Sequence, residues 1–161
     1  MTDRALVLDD FIPYRLSITS NLVSDTIAST YEALFGLRIP EWRLVTVLAE
    51  KSGITQQDIG VRTRMDKMTV SRAAAALVER GLVERHTHPG DKRSRLLALS
   101  EEGRALYAAV APKALELERH IFDHFSREEI EAFVAMLHRI DAITLQMRAD
   151  HASGPHGEER A

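Results

Sequence analysis

The chain of 161 residues contains no cysteine. That absence removes disulfides, thiolate metal ligands, cysteine nucleophiles and thiol-based redox sensing together. Aromatic residues are only 6% of the sequence while Leu and Ala are abundant, so helices should dominate. No apolar run approaches the roughly 20 residues needed to cross a bilayer. The opening MTDRALVLDD lacks the basic start and long apolar stretch of a secretory signal. The expectation is a cytoplasmic protein with no membrane partner. Enzyme signatures are missing too: there is no phosphate loop, no GxSxG and no pair of carboxylates in a glycine-rich setting, and the histidines are scattered or fall on helical surfaces. No catalytic residue, cofactor or resident metal is expected, and the chain reads as something other than an enzyme.

What is present fits one domain with a sizeable core. Hydrophobic residues at 45% and charged residues at 28% are ordinary for a globular protein. The net charge of −3 becomes informative once divided. Between Arg62 and Arg95 nine cations face four acids, giving +5 there and leaving −8 elsewhere. Such asymmetry suits a protein that presents one face to phosphate and keeps the rest soluble, although a solvated basic surface would look the same by charge alone.

Along the chain, Phe11, Tyr14, Ile18, Leu22, Ile27, Tyr31, Leu34 and Phe35 recur near helical spacing over 9–35, with Pro13 in the tolerant first turn and Gly36 as the stop. Pro40 opens a second helix, Glu41 to about Glu50, and Gly53 marks its exit. Thr55 and Asp58 resemble a capping box for a short third helix ending near Arg64. Asp66 caps a fourth from Lys67 to about Arg80, closed by Gly81. Strands over 82–86 and 95–99 follow, joined by a longer charged loop that contains the Pro89-Gly90-Asp91 turn. Ser100 caps a long fifth helix, which Pro112 should bend. Ser126 and Glu129 form a capping box for a sixth helix running to about Ala149, and the tail over 150–161, lacking any apolar anchor, should be disordered.

Two short helices around a tight turn at Met65, followed directly by a charged hairpin, is the order of a winged helix-turn-helix. In that arrangement the second helix enters the major groove of duplex DNA and the first supports it. The fourth helix matches the requirement. Val70, Ala73, Ala74 and Leu77 share one face, small enough for close packing, while Lys67, Met68, Ser71, Arg72, Ala75 and Glu79 fall on or near the other. Arg72 suits a bidentate guanine contact or a phosphate, Thr69 and Ser71 are short donors for either, and Met68 suits a thymine methyl. Gln56 and Gln57, at the exposed start of the third helix, suit backbone phosphates. The tip Asp91-Lys-Arg-Ser-Arg95 holds three cations, Lys92, Arg93 and Arg95. An arginine there can enter a narrow minor groove, with Asp91 paired to Arg93 to fix its direction. Taken alone, the tip is also readable as a solvated turn with a weak ion pair.

Between Ile39 and Gly103 the chain resembles the multiple antibiotic resistance regulator (MarR) family. The resemblance rests on Pro40-Glu-Trp-Arg43, Met65-Asp-Lys-Met-Thr-Val-Ser-Arg72, Leu77-Val-Glu-Arg-Gly-Leu-Val83, Asp91-Lys-Arg-Ser-Arg95 and Leu99-Ser-Glu-Glu-Gly103. With the flanking long helices it extends over 9 to about 149. It implies a mainly α fold of six helices with a small β-hairpin wing, in a single domain over 1–149. Within it, 38–100 would be the DNA-binding lobe, and 9–36 with 100–149 the helices of an intertwined homodimer. It also implies groove-facing roles for Thr69, Ser71 and Arg72, and a minor-groove role for Arg93 with Asp91 as its partner.

Physics points to the dimer as well, because one winged lobe makes few contacts and two-fold symmetry doubles them on a palindromic operator. Leu106, Val110, Leu117 and Ile121, with Ile130, Phe133, Val134, Leu137, Ile140 and Ile143, are the expected seam, though a core within one chain would use some of them. By the same resemblance a small effector, an aromatic or carboxylate compound, would release the DNA. Tyr14, Arg15, Tyr31, Trp42 and Arg43 are the candidates to bind it, core packing being the competing role for each. His120, Asp123 and His124 have helical metal-site spacing, with no cysteine in support. A winged module that binds protein instead of DNA is the rival class, and the intact basic tip and Arg72 speak against it.

Overall fold

The computed structural model describes residues 6–152. They fall into two compact units, the first ending at Glu118 and the second beginning at Arg119. No helix among the described residues is long and apolar enough to cross a membrane.

The first unit opens with a 3-10 turn, Leu8–Asp10, and then α1, Ile12–Phe35, with Pro13 in its first turn. Gly36 ends α1 in the left-handed region at φ 60°, which glycine adopts without strain, and its N–H returns to the Glu32 carbonyl at 2.9 Å. Helix α2, Ile39–Glu50, starts two residues earlier than expected. The Glu41 carboxylate accepts the Arg38 backbone N–H at 3.0 Å, so the cap lies upstream and Pro40 falls inside the first turn. Helices α3, Gln56–Thr63, and α4, Lys67–Glu79, follow as expected.

The hairpin is longer than the sequence suggested. Strand β1 covers Val83–His88 and β2 covers Asp91–Leu99, with only Pro89 and Gly90 between them. The expected long loop is therefore shortened to a two-residue turn, because Thr87 and His88 continue the ladder, pairing with Arg95 and Asp91, without any apolar alternation to advertise it. An isolated bridge between Ile54 and Leu97 adds one residue beside β2.

Helix α5, Glu101–Phe122, runs unbroken through Pro112. At its start the buried Ser100 hydroxyl accepts the Gly103 N–H at 2.9 Å and donates to the Gly81 carbonyl at 2.7 Å. Gly103 is needed for a second reason: a β-carbon there would overlap the Leu82 carbonyl oxygen. The core of this unit joins Leu44, Val45 and Leu48 of α2, Ile59 of α3, Val70 and Leu77 of α4, and Leu97 of β2. Each fully buried leucine stabilises by roughly 1.5–3 kcal/mol. Val110 is buried in this core, which removes it from the expected seam, and the half-buried Leu106 packs on it.

The second unit contains the end of α5, a turn, and α6, Arg127–Ala152. The Ser126–Glu129 box forms as expected: Ser126 N–H donates to Glu129 Oε2 at 2.7 Å and Glu129 N–H to Ser126 Oγ at 3.2 Å. Helix α6 continues three residues beyond Ala149, so 150–152 are helical, and 153–161 of the expected disordered tail lie outside the described residues. No residue of α6 is buried within the chain.

Candidate nucleic-acid interface

Short-range hydrogen bonds fix the start of each helix of the pair. Thr55 Oγ1 accepts the Asp58 N–H at 3.1 Å, and Asp58 Oδ2 accepts the Thr55 N–H at 3.0 Å and its hydroxyl at 2.7 Å. The Thr55 hydroxyl and N–H therefore hold the Asp58 carboxyl below its ordinary value. Gln57 is exposed and Gln56 half-buried on the turn this cap creates.

The connection to α4 is tight. Arg64 ends α3 in the left-handed region at φ 58°, which costs a non-glycine residue roughly 1 kcal/mol. Thr63 Oγ1 donates to the Ile59 carbonyl at 2.7 Å and accepts the Met65 N–H at 3.3 Å, holding the bend. Gly60 lets it close, since a β-carbon there would sit 3.3 Å from the Met65 carbonyl oxygen.

Asp66 caps α4 by accepting the Thr69 N–H at 2.8 Å and the Thr69 hydroxyl at 2.7 Å, and those bonds lower its carboxyl. Thr69 therefore commits its proton to the cap. Ser71, Arg72, Lys67 and Met68 stay exposed, and Met68, at 61%, is a large apolar side chain left in water. Gln56, Gln57, Gly60, Val61, Lys67 and Val70 line an open groove of about 510 Å³ between α3 and α4. Val61, 61% exposed, belongs to this surface and had no place in the sequence reading.

One cation of the basic window is structural. Arg80 donates to the Phe35 carbonyl at 2.6 Å and the Gly36 carbonyl at 3.1 Å, and lies 3.8 Å from Glu41. It closes the end of α1 and leaves the charge available to a ligand smaller than the sequence count. Its two carbonyl partners lie more than forty residues away, so no local pattern signals this role.

In the wing, pairing is regular from Val83↔Leu99 to Thr87↔Arg95 and then jumps to His88↔Asp91, so 92–94 bulge from β2 without a partner on β1. Arg93 is exposed on this bulge. Its expected partner acts differently: Asp91 Oδ1 accepts the Arg93 backbone N–H at 2.9 Å, and among the described residues no ion pair joins the two side chains. A carboxylate one methylene from its backbone reaches the N–H two residues on more readily than it reaches a long guanidinium. Arg95 is held across the ladder, donating to Thr87 Oγ1 at 2.7 Å. The Lys92 side chain lies outside the described residues.

The effector candidates divide. Tyr31 and Trp42 meet at 5.5 Å between ring centroids, and Trp42 stacks on Tyr107 at 5.8 Å. Tyr107, on α5, is the member that sequence reasoning missed. Burial, reinforced by Glu32 and Asp25 and opposed by Arg43, pushes the Tyr31 phenol up to about 12. Tyr14 is half-buried, Arg15 is exposed, and among the described residues no ring contact joins Tyr14 to the stack. No group of three His, Cys, Asp or Glu among the described residues is arranged to hold a metal, His120, Asp123 and His124 included.

The MarR family model matches residues 35–94. Over 101 residues the chain is 30% identical to the transcriptional regulator HosA of Escherichia coli O111:H-, covering 63% of this chain and 75% of that protein. A MarR/EmrR family transcriptional regulator from Acinetobacter sp. ADP1 has the same fold at TM-score 0.81 and 26% identity, over 88% of this chain and 99% of that one. CouR from Rhodococcus jostii RHA1, solved with p-coumaroyl-CoA, matches at TM-score 0.74 and 24% identity over 84% and 95% of the two chains. The transcriptional repressor CouR on a 23-mer DNA duplex matches at 0.75 and 24%, over 83% and 94%.

Proposed function

The chain belongs to the MarR family of transcriptional regulators, a family of regulators and not of enzymes, and from that premise we propose that it is a homodimeric repressor gripping a palindromic operator in duplex DNA. The observation that carries this reading is the exposed outer face of α4, with Lys67, Met68, Ser71 and Arg72, followed in the same compact unit by a wing whose bulge presents Arg93. Arg72 reads base edges, Lys67 and Gln57 meet phosphates, and Arg93 enters the flanking minor groove. Gln56 lines the groove beside Gln57 and faces the same phosphates, while Thr69, Asp91 and Arg95 act behind them by fixing backbone and side-chain geometry. The dimer is supported by the unburied apolar side of α6, and the repressor role by the likeness in fold to CouR, a transcriptional repressor. Such a protein works where the chromosome is, in the cytoplasm.

Competition binding tests this reading with a labelled duplex from upstream of the protein's own coding sequence and a scrambled duplex of equal length. Arg72→Ala should cost about 1–3 kcal/mol on the specific duplex and little on the scrambled one. Arg93→Ala should weaken binding mainly on A·T-rich flanks. Equal binding of both variants and the parent on both duplexes contradicts the assignment.

A second reading concerns release. The Tyr31–Trp42–Tyr107 stack with Arg43 beside it offers aromatic faces and a cation to an aromatic acid or its thioester, and CouR was solved with such a thioester. A panel of these compounds should include one that raises the melting temperature and lowers operator affinity. A panel without either effect removes the reading.

A further inference from the structure

The wing tip carries a histidine where turns of this shape usually place Asn, Asp or Ser. His88 directly precedes the Pro89-Gly90 turn, and its Nδ1 accepts two backbone N–H groups, from Gly90 at 3.0 Å and Asp91 at 3.1 Å. An Asn or Asp in that position bonds the backbone two residues on with its side-chain oxygen. Here the imidazole does so, lying over Gly90, where an added β-carbon would rest 3.4 Å from Cε1. Asp91 in turn accepts the Arg93 N–H, so the ring, the turn and the bulge form one chain of hydrogen bonds ending at the exposed arginine.

We propose that His88 is a positioning residue whose neutral imidazole clamps the wing tip for duplex DNA and whose protonation releases it, making the wing's grip pH-sensitive. The proposal rests on the wing contacting DNA, as argued above. Its chemistry is one of hydrogen-bond sense. Neutral Nδ1 is an acceptor, but in the imidazolium both ring nitrogens are donors, and an N–H cannot face two N–H groups. Histidine is the side chain whose ordinary titration falls between pH 5 and 8, which an Asn or Asp cap does not share. The charged groups that face it are Asp91 across the turn and Asp58 of α3, whose carboxyl is lowered chiefly by the Thr55 bonds and to a smaller extent by Lys51 and His88. Further back on β1, His86 Nε2 lies 3.3 Å from Glu84 Oε2, a second histidine on the same strand that needs its own control.

The test compares wild type with His88→Asn, which keeps an acceptor but cannot protonate in this range, and with His86→Gln. The ratio of wild-type to His88→Asn Kd on the upstream duplex should be near unity at pH 8. It should rise to about fivefold at pH 5.5, on the scale of one lost hydrogen bond. His86→Gln should keep the wild-type profile. Without DNA, the Gly90 and Asp91 amide resonances should titrate with the His88 ring in wild type and stay fixed in His88→Asn. Amides that ignore pH overturn the clamp, and titrating amides with a flat Kd ratio overturn the positioning role. Loss of duplex binding by every form at every pH overturns the DNA reading and the positioning role with it, while the amide titration still reports on the clamp.

Discussion

The winged lobe and helix α6 use apolar side chains in opposite ways. In the lobe, Leu44, Ile59, Leu77 and Leu97, from three helices and a strand, are entirely buried. Along the 26 residues of α6 none is buried, and Phe133, Val134, Ile140 and Ile143 are 40–59% exposed. A lobe that completes its own core can be carried as a rigid reader of DNA. A helix left with exposed apolar residues at so many positions is shaped by a surface outside its own unit, for which a second copy of the chain is our proposal.

The sharpest way to break this contrast is to charge α6. Phe133→Glu with Ile140→Glu should weaken self-association more than a hundredfold, about 3 kcal/mol or more, while leaving the lobe's helical signal intact. Sedimentation equilibrium reads the first effect and circular dichroism the second. The mirror experiment is Leu77→Ala, which should cost about 2–5 kcal/mol of unfolding free energy through cavity formation without altering a dimer seam. Gly103→Ala should cost about 1–3 kcal/mol, because its β-carbon must displace the Leu82 carbonyl.

The smallest effect sits on the caps. The Asp58 and Asp66 carboxyls are held below their ordinary values by bonds from Thr55 and Thr69. Their stabilisation is therefore present at neutral pH and is lost as pH falls from the ordinary carboxyl range through the lowered folded values. Asp66→Asn, a neutral cap, should flatten the melting-temperature profile between pH 5 and 3 compared with wild type.

The parts legible in sequence were those whose causes are local. The Thr55–Asp58, Asp66–Thr69 and Ser126–Glu129 bonds each span three residues, so the helix starts could be read from the order of the side chains. The outward face of α4 followed from period alone. The hairpin length did not, because Thr87, His88 and Asp91 pair through backbone groups that leave no hydrophobic alternation. The roles of Arg80 and Tyr107 were hidden for a different reason: their partners come from distant helices. Thr69 was placed on the correct helix, but the bond of its hydroxyl to Asp66 Oδ2 at 2.7 Å depends on rotamer geometry that helical period does not reveal.

Hydroxyl-radical footprinting of the purified protein on its upstream duplex, with its mass in the same buffer, tests the central claim most directly. Two protected segments related by two-fold symmetry, with centres about 10 base pairs or a multiple apart and bound by a dimer, are what α4 and the wing should leave. A monomer that protects no discrete segment at low ionic strength would contradict the account.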